Sequence, residues 1–75
     1  MKKVEYYGQE IAIPDDHYFV ATDDDGEVCS YAERPDFYNL DSDHYWYDDD
    51  YHAVMFRDDL ASMSKDTLVE YPKEG

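Results

Sequence analysis

Seventy-five residues carry twenty acids against six bases, a formal net charge of −14. That balance excludes a phosphate-gripping surface, which needs Lys and Arg to displace counterions, and it argues against docking on anionic membranes. Nine Tyr, three Phe and one Trp exclude the opposite extreme, a disordered acidic tail, because each ring buries a large area and few are needed to make a core.

In chain order, the first predicted element is a hairpin from Val4 to Ile13. Gly8-Gln9 separates two short β-prone runs, Val4 to Tyr7 and Glu10 to Ile13. Glycine first in a two-residue loop suits a type II′ turn. Ile11 and Ile13 share one face, with Val4 and Tyr6 as partners across the ladder. Pro14-Asp15-Asp16 ends the strand. A second hairpin pairs Tyr18 to Thr22 with Val28 to Tyr31 around Asp23-Asp24-Asp25-Gly26-Glu27, in which Asp-Gly is a hairpin turn pair. Glu33-Arg34-Pro35-Asp36 breaks the pattern.

Further on, His44 to Tyr47 reads as a short strand between acidic loops, and Ala53 to Phe56 as an apolar run that pairs with the sheet. Asp58 to Met63 reads as one or two helical turns, with Asp58 and Asp59 favourable at the positive end of the dipole. Thr67 to Tyr71 reads as a last strand stopped by Pro72. The expected fold is α+β and β-rich: a small, mostly antiparallel sheet of two hairpins plus a C-terminal strand, with one short helix. It forms a single acidic domain over residues 1–75.

A domain this small buries only about 60% of the surface its unfolded chain exposes, and Cys29 alone supplies no disulfide. A lone cysteine suits a reducing compartment. No basic-then-apolar leader follows Met1, and no apolar run approaches the roughly 20 residues that span a bilayer. The expected location is therefore cytoplasmic.

Catalytic and metal chemistry find little support in the residue pattern. Aligning Gly26 with the glycine of an EF-hand loop puts Ala21 and Ala32 where the first and twelfth ligands belong, so a calcium loop of that type is rejected. A looser divalent-ion site among Asp41, Asp43 and Asp48 to Asp50 competes with the plainer reading, a solvated acidic loop. His17, His44 and His52 fall in no recognised ligand spacing. Cys29 lies among apolar strand neighbours, where a thiol is a small buried hydrophobe, and Ser30 has no nucleophile-elbow context. No cofactor, metal or enzymatic activity is expected.

The charge itself is the stronger signal. From Asp15 to Asp59 there are fifteen acids and only Arg34 and Arg57 as bases, and fourteen of the twenty acids are Asp. Short Asp side chains hold their carboxylates near the backbone, giving a fairly fixed array. The candidate partner-binding residues are the Asp23-Asp24-Asp25 turn, Asp36, Asp41, Asp43 and the Asp48-Asp49-Asp50 run. Trp46, Tyr47 and Tyr51, with Tyr45, interleave among them as anchors, since Trp and Tyr dominate interface hot spots. A sphere of this chain length has a radius of gyration of about 11 Å, and about 30 Å of duplex carries roughly 18 phosphates, close to the chain's carboxylate count.

In size, charge and Asp-rich character the chain resembles small phage-encoded inhibitors that imitate DNA, of the anti-restriction and anti-CRISPR type. The stretch Ala21 to Pro35 also resembles a hairpin of small phage proteins of unassigned role. The resemblance implies an inhibitor acting inside a bacterial host cell, binding the basic groove of a DNA- or RNA-handling protein, with no direct nucleic-acid contact, as monomer or homodimer. The alternative is an acidic interaction module whose basic partner does not handle nucleic acid.

Overall fold

The computed structural model describes residues 1–41 and 43–73. Strands β1 (Lys2–Tyr6) and β2 (Gln9–Ile13) form the first hairpin, with Val4 opposite Ile11 and Tyr6 opposite Gln9. The loop is Tyr7-Gly8, not the expected Gly8-Gln9. Both residues have positive φ, 46° and 79°, the pattern of a type I′ turn, whose twist matches that of the strands. Moving the loop by one residue changes each cross-strand partner by two, so Val4, Tyr6, Ile11 and Ile13 keep a common face. Tyr7 is held in this conformation by edge-on contact with Tyr6 at 4.8 Å and by its hydroxyl, which donates to Asp66 O at 3.0 Å.

The second hairpin joins β3 (Phe19–Thr22) to β4 (Glu27–Tyr31), in the register Phe19–Tyr31 to Thr22–Val28. Gly26 N–H donates to Asp23 O at 3.0 Å, and Asp23 N–H donates to Glu27 O at 2.9 Å. Gly26 sits at φ 91°.

A third hairpin corrects the sequence reading, which left residues 36–40 outside any strand. β5 (Asp36–Leu40) pairs with β6 (Asp43–Tyr47). Asp36 and Asn39 are poor strand formers, but cross-strand aromatic pairs offset them. Phe37 meets Trp46 at 4.9 Å, and Tyr38 stacks on Tyr45 at 5.5 Å.

β7 (Tyr51–Phe56) then pairs with β4, with a register shift between Val28 and Cys29. The helix α1 (Asp58–Ala61) is shorter than expected and gives way to a 3₁₀ turn, Ser64–Asp66. β8 (Val69–Glu70) closes on β3. The result is β-rich and antiparallel, with one short helix. The two predicted hairpins do not share one sheet. Among the described residues the order β7-β4-β3-β8 makes a four-stranded sheet, and the β1–β2 and β5–β6 ladders stand apart from it.

The core explains the layering. Val20 and Val28 cluster with Tyr6, Ile11, Ile13 and Leu60 on one face of the central sheet. Phe19, Ala21, Cys29 and Tyr31 cluster with Trp46 on the other. Because neighbouring residues of a strand point to opposite faces, β3 is buried along its whole length, with the β1–β2 hairpin covering one side and the β5–β6 hairpin the other. The molecule measures 40 × 24 × 17 Å, a flattened block rather than a sphere. No helix among the described residues is long and apolar enough to cross a membrane.

Candidate acidic and aromatic interface

Strand alternation divides the β5–β6 hairpin into two faces. Phe37 and Trp46 turn toward the body, and the Trp46 indole N–H donates to Ser64 O at 2.9 Å. Trp46, expected as an interface anchor, is therefore a half-buried packing residue. On the opposite face stand Asp36, Tyr38, Leu40, Asp43, Tyr45 and Tyr47. There Tyr38 lies 5.5 Å from Tyr45 and 6.4 Å from Tyr47, and Tyr47 lies 6.5 Å from Tyr51 of β7. Tyr38, Tyr47 and Tyr51 are exposed. These rings make a continuous tyrosine row with Asp36 and Asp43 at its two ends.

The Asp23-Asp24-Asp25 turn docks against β6. Asp23 Oδ1 accepts Trp46 N–H at 2.8 Å, and Asp24 Oδ2 accepts His44 N–H at 3.0 Å. In return Asp24 N–H donates to His44 O at 3.1 Å. The edge of β6 that faces away from β5 is thereby capped by carboxylates, which protects unpaired strand amides from other chains. Asp25 Oδ1 accepts Glu27 N–H at 2.9 Å. So Asp23 and Asp24, expected as free contact charges, are partly spent on holding the hairpin. Burial is the main reason the Asp23 carboxyl is pushed up to about 6; the nearby charges of Asp25, Glu27 and Asp24 add to it, and the Trp46 N–H works the other way.

Between this turn, β4, β6 and β7 lies a recess of about 180 Å³, lined by Asp23, Glu27, Cys29, Tyr31, Tyr45, Trp46, Tyr47 and Tyr51. Tyr31 donates its hydroxyl to Trp46 O at 3.2 Å, and burial raises its pKa. Tyr47 donates to Asp49 Oδ1 at 3.2 Å, a bond that raises the pKa of its hydroxyl. A second hollow, between the far face of the hairpin and residues 62–66, has Lys65 and Asp66 side by side in its wall and no convergent charge.

Of the expected site residues, Asp23, Trp46, Tyr47 and Tyr51 meet at the recess, and the loop Asp48 to Asp50 joins Tyr47 to Tyr51. Asp41 and Asp43 lie at the other end of β5–β6, about 13 Å along the strand at ~3.3 Å per residue. The divalent-ion site weighed across these two groups therefore does not form, and no set of three His, Cys, Asp or Glu side chains converges among the described residues. Sequence reasoning missed Tyr38, Tyr31 and Glu27. The signal was the alternation of Tyr45 and Tyr47, which needs a paired strand before it points to Tyr38.

One arrangement has the outline of a hydrolase relay: His17 Nδ1 is 2.8 Å from Ser30 Oγ, and His17 Nε2 is 3.8 Å from Asp50 Oδ1. Ser30 has 0% exposure, so no substrate reaches its oxygen, and the contact ties the β2–β3 connection to the sheet. Cys29 is equally sheltered; burial first, then Glu27, pushes its thiol up to about 12, far from a reactive thiolate.

No family model, curated protein or solved structure matches this chain. The site is therefore read from its own chemistry.

Proposed function

We propose that the chain is a nucleic-acid-mimicking inhibitor that occupies the basic groove of a DNA- or RNA-handling protein inside a bacterial cell, a host-defence complex such as a CRISPR or restriction enzyme foremost. The observation that carries this reading is a segregation of charge. Residues 23–27 and 35–56 hold ten of the twenty acids and none of the six Lys and Arg. These segments are the β5–β6 hairpin, the turn docked on its edge, and β7 with its entry loop. Five of the six bases are engaged with other partners: Lys3 with Glu10, Arg34 with Glu70, Arg57 with Asp59, and Lys2 and Lys73 over the Tyr18 ring at 4.0 and 5.4 Å. The sixth, Lys65, borders the far face of the hairpin, away from the tyrosine row.

A duplex strand presents one phosphate per ~3.4 Å, so about twelve over the 40 Å length of the molecule. Ten carboxylates within that length offer a comparable field to a protein built to hold phosphates. Such a field steers association and weakens with salt. The exposed tyrosine row adds contact area that charge alone lacks.

Capture of the partner from a bacterial lysate, followed by a salt series and competition with duplex DNA, tests the reading. The expected partner handles nucleic acid, releases the chain as NaCl rises toward about 0.5 M, and exchanges it for DNA. A complex that survives high salt and ignores DNA overturns it. The internal use of Asp23 and Asp24 favours a second reading, a module for a basic partner that does not handle nucleic acid. There, salt would release the complex but DNA would not compete.

A further inference from the structure

We infer that the recess between the β3–β4 turn, β4, β6 and β7 is the seat of a single guanidinium group, an arginine side chain of the partner, held between tyrosine rings and the carboxylates of Asp23 and Glu27. This deepens the decoy reading and rests on it for the source of the arginine.

Size decides the class of occupant first. About 180 Å³ falls below the roughly 300–1,000 Å³ of sites that enclose small molecules. The recess is too small for a nucleotide or cofactor and ample for one side-chain head group. Composition decides its charge. Tyr45, Tyr47 and Tyr51 line the recess from two strands, and aromatic faces attract cations. Asp23 and Glu27 share that lining, yet none of the ion pairs among the described residues involves either of them. Asp23 Oδ1 is taken by Trp46 N–H, which fixes the carboxylate and leaves its charge without a cationic partner among the described residues.

A metal ion fits poorly. Two carboxylates and a protonated thiol fall short of a ligand set, and no larger cluster converges among the described residues. An arginine fits better than a lysine because its planar, weakly hydrated fork stacks on rings while donating sideways to carboxylates. The molecule already holds a cation on tyrosine elsewhere, with Lys2 Nζ 4.0 Å from the centre of the Tyr18 ring.

The test uses the full chain and its single tryptophan, Trp46, whose atoms line the recess. Fluorescence and amide chemical shifts are followed at low salt during titration with N-acetyl-arginine amide. N-acetyl-lysine amide, putrescine and the neutral glycine analogue serve as comparisons. The expected result is a saturable response to the arginine amide, focused on Glu27, Tyr45, Tyr47 and Tyr51, weaker with lysine and absent with glycine. Glu27→Gln and Tyr51→Ala, with unchanged circular dichroism, should each weaken it by about 2- to 5-fold, the scale of an exposed ion pair for the first and of an exposed cation–π contact for the second. An equal or tighter response to putrescine overturns the guanidinium assignment in favour of a free polyamine. A linear response spread over all the acidic residues overturns the recess while leaving a salt-sensitive, DNA-displaced complex intact. Saturable arginine binding beside a partner complex that DNA fails to displace upholds the recess and overturns the decoy reading instead.

Discussion

The carboxylate of Asp23 accepts the backbone N–H of Trp46 at 2.8 Å, across 23 residues of chain. The bond anchors the edge of β6, yet it holds a charge in a partly buried site. Burial lifts the Asp23 carboxyl from 3.8 to about 6, so between those values the folded state binds more protons than the unfolded one. Stability from this group is fully present below about pH 4 and is lost as pH rises through 6. Relief of the general acidic repulsion runs the same way. Asp23→Asn separates the two, because the amide oxygen still accepts the Trp46 N–H while the charge is gone. The variant should melt higher than the parent at pH 7 and show a flatter Tm profile between pH 4 and 6. Parallel profiles for the two proteins would refute a specific Asp23 contribution.

Tyr6 makes a second long-range tie. Its hydroxyl lies 2.9 Å from Thr22 Oγ1 and 2.9 Å from Thr67 O. Thr67 Oγ1 in turn accepts Thr22 N–H at 2.8 Å. This buried network joins the β1–β2 hairpin to the central sheet and to the segment leading into β8. Tyr6→Phe leaves the Thr67 carbonyl without that donor inside the core, which should cost about 1–3 kcal/mol in a denaturant melt. Tyr7→Phe, which loses an exposed bond to Asp66 O, is the control and should cost well under half as much. Equal losses would mean that the buried network contributes nothing special.

The β3–β4 hairpin was legible because Asp25-Gly26 marks a turn between two runs of strand formers, and the structure adds why glycine is needed there. Gly26 has φ 91°, and a Cβ would stand 3.1 Å from Asp58 Oδ1 and 3.2 Å from Arg57 O. Arg57 N–H also donates to Gly26 O at 2.7 Å. Gly8 has φ 79° but open space around it. Gly8→Ala should therefore lose only the left-handed backbone preference, about 1–2 kcal/mol. Gly26→Ala should lose more, because Arg57 and the start of α1 must move as well. Thermal melts of the two variants rank them, and the reverse order would remove the crowding argument.

What was legible elsewhere follows from local chemistry, and what was not depends on pairing. Val4, Ile11 and Ile13 announce a face whichever two-residue loop joins their strands, so the first hairpin was found while its turn was misplaced by one residue. β5 was missed because Pro35, Asp36 and Asn39 read as loop; only the partners supplied by β6 make Phe37 and Tyr38 strand residues. The layering was hidden for a similar reason. Val20 and Ala21 face opposite ways, and nothing in one dimension says that separate hairpins will cover each side. Acid clustering was visible in the sequence, but the use of Asp23 and Asp24 as acceptors for strand amides was not, since that depends on the turn meeting β6.

The loop Asp48-Asp49-Asp50 carries the last prediction, because it contains charge that the fold uses least. Asp49 accepts a hydrogen bond from the exposed Tyr47, and Asp50 lies 3.8 Å from His17 Nε2; Asp48 makes no ion pair among the described residues. Replacing all three by Asn removes three negative charges from a −14 chain while keeping side-chain shape. Self-repulsion falls, so Tm should stay level or rise. Binding should move the other way. If this end of the hairpin meets basic groups, the association rate with the captured partner should drop more than the dissociation rate changes, and the salt dependence should flatten, as for charges that act through steering. Stopped-flow or surface-binding kinetics at several salt concentrations would read both quantities. A triple variant with the parent's association rate and salt slope would take the loop out of the contact surface and shift the charge contact to the Asp23-Asp24-Asp25 turn and the other acids of the hairpin.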